Sequence, residues 1–237
     1  MESSTRGSRF RFVITTLVVA IPLALVPAGS AGAATITAAA ECCTFVGNPF
    51  SQAAGIEADL LNPGLPNRVP HNVYASQKGA DGGPLFYSSL AVPGTTVPVR
   101  GTEYLQAGSY RFTCTLHTGM NGMLEVSPGT AVSRPRVTPS VKSSSLTQVR
   151  RKGRIDLGLK ADSDTGPVTV TVTANGSLVA TGKVESLRPS AVRSLSVRLS
   201  AKGRKAIAKG SSVRFKVSAV AEFGLLRSAT RVLKASR

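Results

Sequence analysis

The sequence predicts an all-β chain made of two consecutive domains. Apolar and polar residues alternate at period two in several short stretches, among them residues 110–114, 168–173 and 213–220, as expected of half-buried β-strands. The 23 glycines and 14 prolines break the chain into short pieces, which is typical of a β-sandwich or barrel. Charge also divides the chain, because residues 131–237 carry 22 Lys and Arg against five acids, a net of +17.

Residues 1–33 have the pattern of a signal peptide. Arg6, Arg9 and Arg11 precede a short apolar run, and the segment closes on small residues ending at Ala33, which are the parts of such a peptide. A transmembrane anchor needs about 20 apolar residues, whereas this run is shorter and contains Pro22. We therefore expect an exported protein, either secreted or located at the cell surface or in the periplasm.

The first predicted domain spans residues 34–127. Up to residue 130 it carries four Lys and Arg against six acids, a net of −2. Short strands joined by Gly and Pro turns are predicted at residues 71–75 and 95–99 and before Cys114. Residues 44–68 show weaker alternation and end in a turn-rich segment, so the sequence defines the first strands poorly.

One stretch of this domain carries three soft metal ligands within seven residues. Cys114 ends a predicted strand, and His117 and Met120 follow at intervals of three, so the loop after the strand can fold all three onto one ion. A thiolate and imidazoles in a trigonal plane, with a long thioether contact, form the ligand set of a blue-copper site. Such a site needs a second histidine, and the chain has only one other, His71.

The segments around these residues resemble the two copper-binding motifs of the cupredoxins, the family of plastocyanin, amicyanin and pseudoazurin. Val69-Pro-His-Asn-Val73 is similar to the first motif, and the Cys-x-x-His-x-x-Met-x-Gly pattern from Cys114 to Gly122 is similar to the second. The similarity covers about residues 69–126. It implies a Greek-key cupredoxin β-sandwich or barrel with one copper ion (Cu⁺/Cu²⁺) per chain.

The resemblance also implies roles for individual residues. His117 would present its ring edge at the surface as the electron port, and an unidentified redox protein would dock near it. Asn72 would form a hydrogen bond with Thr115 and so join the two ligand-bearing segments. Met120 matches the short-loop amicyanin pattern as the axial ligand, while Met123 competes for that place but is more simply a core residue.

Other chemistries fit these residues less well. Structural zinc sites normally bring paired Cys-x-x-Cys and c-type haem needs Cys-x-x-Cys-His, and neither motif occurs. A multicopper oxidase or a copper nitrite reductase needs further histidines, and a hydrolase would lack a base once both histidines are metal ligands. A catalytic or inert thiol at Cys114 would not call for Met120 or for His71 at a distance. The prediction is an electron carrier or copper-binding protein rather than an enzyme.

Cys42 and Cys43 are the other two cysteines, and they are adjacent in the sequence. With an odd total of three, a framework of structural disulfides is not available. The pair could form a vicinal disulfide, join two chains or remain as thiols, and the sequence leaves these alternatives open.

Residues 128–148 are rich in Pro, Ser and Thr and predict an extended linker.

Beyond this linker, residues 149–237 predict a second β-sandwich, similar to the Ig-like modules appended to bacterial surface proteins. Residues 201–209 predict a short helical or turn insert. This second domain has no Cys and no His, so it offers no metal chemistry. Its alternating stretches are residues 155–159, 168–173, 194–199 and 213–220.

The basic charge belongs to the second domain. Clusters such as Arg150-Arg-Lys152 and Arg204-Lys205 would suit nucleic acid, but an exported protein rarely meets nucleic acid, so we do not expect that partner. Two alternatives stay open. The charges either form an ordinary solvated surface or bind an anionic cell-wall or membrane surface.

The function predicted from the sequence is single-electron transfer by an exported mononuclear type 1 copper protein, with the second domain as a spacer or tether. The alternatives are a copper-binding protein for copper buffering or delivery, and a surface adhesion protein without catalytic activity. A carrier keeps its copper through a redox cycle, a delivery protein releases Cu(I) to a modest chelator, and an adhesion protein does not respond to copper.

Overall fold

The structure is a computed structural model that describes residues 32–64, 66 and 68–236. The predicted signal peptide lies almost wholly outside these residues. The regular structure of the described chain is mostly β, and it confirms the predicted fold class of a β-barrel or sandwich followed by a second β-sandwich. Within the described ranges, no helix has both the length and the apolar character needed to cross a membrane.

The first domain is a curled sheet of nine strands in the order β2-β1-β4-β7-β6-β5-β8-β9-β3. The β1–β4 and β3–β9 pairs are parallel and the remaining pairs are antiparallel. A 3₁₀ turn over Thr102–Tyr104 follows β7. The strands are β1 Thr35–Ala38, β2 Phe45–Val46, β3 Phe50–Ala53, β4 Ala58–Asn62, β5 Tyr74–Ala75, β6 Tyr87–Ser88, β7 Thr95–Arg100, β8 Gly108–Thr113 and β9 Asn121–Ser127.

Phe112 lies at the centre of the core of this domain. Its ring packs against three other phenylalanines, with centroid distances of 5.0 Å to Phe45, 6.2 Å to Phe50 and 6.3 Å to Phe86. Two of these partners come from residues 44–68, the stretch that the sequence defined poorly. The aromatic cluster therefore fixes the early strands to β8, which leads directly to Cys114.

The second domain contains seven strands in two sheets, ordered β10-β11-β14 and β13-β12-β15-β16. The predicted strands at residues 155–159, 168–173, 194–199 and 213–220 are present, and the predicted insert is a helix, α2 (Ala201–Ile207). A second helix, α1, spans Leu146–Lys152. The strands are β10 Val137–Val141, β11 Arg154–Ala161, β12 Val168–Ala174, β13 Ser177–Val184, β14 Val192–Arg198, β15 Ser212–Ala221 and β16 Arg227–Lys234.

The segment predicted as a linker is only partly a linker. Its second half contains β10, which pairs with β11 along its whole length, and the start of α1. Val137, Pro139 and Val141 alternate inward along β10, so this strand belongs to the second sandwich despite its Pro and Ser content. Residues 128–136 connect the two domains.

A small polar and aromatic contact joins the two domains. Glu222 accepts hydrogen bonds from the Tyr87 hydroxyl (2.6 Å) and from the Arg100 guanidinium (2.8 Å). The backbone N–H of Phe223 donates to Asp81 Oδ2 at 3.1 Å, and the Phe223 ring packs on Tyr87 with centroids 5.7 Å apart. Burial, and then the hydrogen bond to Glu222, raises the pKa of Tyr87. The second domain therefore contacts the first through β6, β7 and the loop that contains Asp81.

Candidate metal centre

Cys114 follows β8 directly and is 2% exposed. The β8 strand turns Phe112 into the core, and the two-residue period places Cys114 on the same face. Gly122, the last residue of the sequence motif, pairs with Phe112 across β8 and β9. A Cβ atom at Gly122 would overlap the Phe112 ring, which explains why the motif ends in glycine here.

The loop after Cys114 is closed by its own backbone. The Cys114 N–H donates to the Met120 carbonyl at 3.0 Å, and the Met120 N–H donates to the His117 carbonyl at 3.2 Å. The Thr113 hydroxyl donates to the same Met120 carbonyl at 3.0 Å. Gly119 adopts a φ of 84°, which favours glycine. These contacts bring His117 and Met120 back toward Cys114.

His71 enters the site from a different part of the sheet. Its backbone pairs with Ala91, with N–H to carbonyl distances of 3.1 and 2.8 Å. Asn62 supports this bridge, because its side-chain amide donates to the carbonyls of Val69 (2.9 Å) and Ala91 (3.0 Å). His71 is 0% exposed. The strand predicted at residues 71–75 is shorter than expected, since only Tyr74–Ala75 pairs as a strand.

Three candidate ligand atoms converge in this buried space. Cys114 Sγ lies 3.4 Å from His117 Nδ1 and 3.9 Å from His71 Nδ1, and the two imidazole centroids are 4.7 Å apart. At zinc sites the bonds are about 2.3 Å to sulfur and 2.0 Å to nitrogen. A three-coordinate ion with bonds of these lengths would hold the sulfur and each nitrogen about 3.7 Å apart. One ion therefore fits within bonding distance of all three residues.

The two methionines near the site differ in burial. Met120 is 1% exposed and belongs to the same buried cluster as Cys114. Met123 is half-buried and pairs with the exposed Arg111 across β8 and β9. The expectation that Met123 is a core residue is therefore wrong, because the strand register turns it to the outer face. Of the two thioethers, that of Met120 is the one on the core side.

Asn72 and Thr115 join the two segments that carry the candidate ligands. The Thr115 backbone N–H donates to Asn72 Oδ1 at 2.8 Å, and the Asn72 side-chain amide donates to the Thr115 hydroxyl at 2.9 Å. The hydrogen bond expected from the sequence is thus present. Because Asn72 follows His71 and Thr115 follows Cys114, this pair of bonds fixes the spacing of the two buried ligands.

Burial shapes the electrostatics of the site. It lowers the pKa of His71 below its usual value of 6.5, and the neighbouring imidazole of His117 lowers that pKa further. A neutral imidazole is the form that binds a metal ion. His117 is half-buried and is the candidate ligand with the most contact with solvent, because His71, Cys114 and Met120 are each at most 2% exposed.

Sequence reasoning did not place Cys42 and Cys43 near this site. The structure joins them in a disulfide and sets both sulfurs within 4.8 Å of a ring nitrogen of His117. Nothing local in the sequence indicates this proximity, since more than 70 residues separate the pair from His117. It depends on how β1 and β2 pack against β8.

Similarity to known proteins is limited to solved structures with low TM-scores. Neither a known protein family nor a curated protein matches the sequence. Among solved structures, a reduced mutant of amicyanin is 21% identical over 40% of this chain and 83% of its own, with a TM-score of 0.33. Amicyanin from Paracoccus versutus is 25% identical over 44% and 87% of the two chains, with a TM-score of 0.31.

A tetra-tandem repeat from the extending region of a large adhesion protein is also similar. It is 15% identical over 87% of this chain and 50% of its own, with a TM-score of 0.31. At such TM-scores none of these similarities carries an argument about function. The functional assignment therefore rests on the residues of the site.

The buried His71 should make the metal-free protein less stable in acid. Above about pH 6.5 this imidazole is mostly neutral in both the folded and the unfolded chain. Below that pH the unfolded chain binds the proton more readily, because the folded pKa of His71 is lowered. Folding stability therefore falls as the pH drops from about 6.5 toward the folded pKa. Thermal melts between pH 7.5 and 5 measure the effect. His71→Asn should show a flatter dependence, and equal slopes for the two proteins would contradict it.

The two methionines provide a matched pair of variants. Met→Leu conserves volume and costs less than about 1.5 kcal/mol of stability, so both variants should fold. Met120→Leu should change the electron paramagnetic resonance (EPR) spectrum and the reduction potential of the copper-loaded protein, whereas Met123→Leu should leave both unchanged. The reverse pattern would assign the thioether to Met123.

Proposed function

We propose that this chain is an exported mononuclear type 1 copper protein that transfers single electrons. The observation that carries the proposal is the triad formed by the buried His71 and Cys114 with the half-buried His117. Its candidate ligand atoms lie 3.4 and 3.9 Å apart, and the Met120 side chain is buried beside Cys114. Soft sulfur ligands favour copper, and imidazole suits both of its oxidation states. The pattern of residues 1–33 supports export.

Rigidity of the site favours electron transfer. A bound copper ion would supply the one-electron chemistry by cycling between Cu(I) and Cu(II), which prefer different geometries. The chain resists rearrangement, because Asn72 and Thr115 join the two ligand segments and the Cys114–Met120 backbone contact closes the loop. Ligands held in this way move little between oxidation states, so the reorganisation that slows electron transfer is small.

His117 is the proposed route for the electron. It is the least buried of the candidate ligands, and the neighbouring Leu116 is 50% exposed. An apolar residue beside the exposed imidazole suits a redox protein that docks there briefly. The second, Ig-like sandwich would act as a spacer or tether, and its basic surface would bind an anionic cell wall or membrane.

Copper buffering or delivery is the alternative, because His117, the least buried candidate ligand, also offers a path for the ion itself. To separate the two, the full-length copper-loaded protein is reduced with ascorbate and reoxidised with ferricyanide in the presence of an excess of a Cu(I) chelator such as bicinchoninate. An electron carrier should keep most of its copper and recover its Cu(II) spectrum over repeated cycles.

A parallel sample held in the Cu(II) state with the same chelator is the control. Transfer of the copper to the chelator during the reduced half-cycle only would contradict electron transfer and support delivery. Failure to bind copper in any state would leave adhesion as the remaining function.

A further inference from the structure

Cys42 and Cys43 lie in the hairpin loop between β1 and β2. The Ala39 N–H donates to the Thr44 carbonyl at 2.9 Å and closes this loop. Cys42 is exposed and Cys43 is half-buried against the core of the first domain. The sulfur pair is therefore accessible to solvent on one side and anchored on the other.

Packing holds this loop beside the candidate metal centre. Phe45, the first residue of β2, is 7% exposed, and its ring lies 5.0 Å from that of Phe112, edge to face. Phe112 lies on β8, two residues before Cys114. The hairpin cannot move away from the metal-binding loop without breaking this aromatic contact, so the proximity of the cysteine pair to His117 is built into the core.

The cysteine pair and His117 form a second group of potential metal ligands. The sulfurs of Cys42 and Cys43 and one ring nitrogen of His117 all lie within 4.8 Å of one another. His117 also belongs to the first group, through the 3.4 Å distance between its Nδ1 and Cys114 Sγ. Two thiolates and an imidazole form a soft ligand set, which suits Cu(I).

Stabilisation does not account for this disulfide. Cross-links stabilise mainly by restricting the loop that they close in the unfolded chain, and adjacent residues have no intervening chain to restrict. Exposed disulfides are the ones that exchange with external thiols, and Cys42 is exposed. A role for the free thiols explains the position of the pair better than a role for the bond.

We propose that Cys42, Cys43 and His117 form a second copper site, which binds Cu(I) and opens when the disulfide is reduced. The site lies on the solvent side of the triad of His71, Cys114 and His117 and shares His117 with it.

The reaction that opens this site is thiol–disulfide exchange. An external dithiol gives two electrons and two protons to the Cys42–Cys43 bond and becomes a disulfide itself, leaving two thiols on the protein. Binding of Cu(I) by both sulfurs then releases the two thiol protons. In the oxidised form the sulfurs are bonded to each other and the site is closed.

The test uses the full-length Cys114→Ser variant, in which Cys42 and Cys43 are the only thiols. Its Cu(I) affinity is measured anaerobically by competition with bicinchoninate, in the dithiol form and in the disulfide form of the same protein. The dithiol form should bind one Cu(I) at least tenfold more tightly than the disulfide form. Equal affinity in the two forms would overturn the proposal.

Two further variants in the Cys114→Ser background define the ligand set. Replacing both Cys42 and Cys43 with Ser should give the low affinity of the disulfide form in either redox state. His117→Asn should weaken Cu(I) binding by the dithiol form at least tenfold. An unchanged affinity would mean that the two thiols bind Cu(I) without His117, and it would overturn the three-residue site. Circular dichroism checks that each variant is folded.

This test is independent of the proposed electron transfer. Every protein in it lacks the Cys114 thiol, so the triad with the Cys114 thiolate cannot contribute to the result. Conversely, wild-type protein in its disulfide form reports on the triad alone. Failure of the second site would leave the electron carrier intact, and failure of the carrier would leave the second site to be judged on its own affinities.

Discussion

The paired hydrogen bonds between Asn72 and Thr115 hold together the two parts of the chain on which the site depends. His71 and Cys114 are 43 positions apart in sequence, and each is followed directly by one partner of this pair. The hydrogen bonds act on the backbone segments that carry the two candidate ligands, so these segments set the distance between His71 and Cys114. The geometry of the candidate site is thus held by contacts within the chain.

The same local order explains which features the sequence could predict. Cys114, His117 and Met120 lie within seven residues at the end of a strand and in the loop after it, so their spacing was enough to predict that they come together. His71 was identified because it is the only other histidine in the chain, and the motif around it agreed with that choice. By contrast, the outward orientation of Met123 depends on the register between β8 and β9, and Asn62 contributes through contacts made only in the folded sheet.

The elements that sequence analysis missed have tertiary causes. The strand β10 was hidden in a Pro-rich and Ser-rich segment, because its pairing with β11 overrides that composition. The β16 strand is exposed at most positions, so it lacks a clear apolar alternation. The cysteine pair reaches His117 only because Phe45 packs on Phe112. A pattern of residues reports local structure, whereas these placements depend on contacts between distant segments.

The central claim is that the Cys114 thiolate binds copper together with two imidazoles. Titration of the metal-free, full-length protein with Cu(II) tests it most directly, with Cys114 as the free thiol and the Cys42–Cys43 disulfide intact. Absorption and EPR spectra should show an intense visible sulfur-to-copper charge-transfer band and a narrow parallel hyperfine splitting at one copper per chain. Both signals should vanish in Cys114→Ser. A colourless product with an ordinary tetragonal copper spectrum would contradict the account.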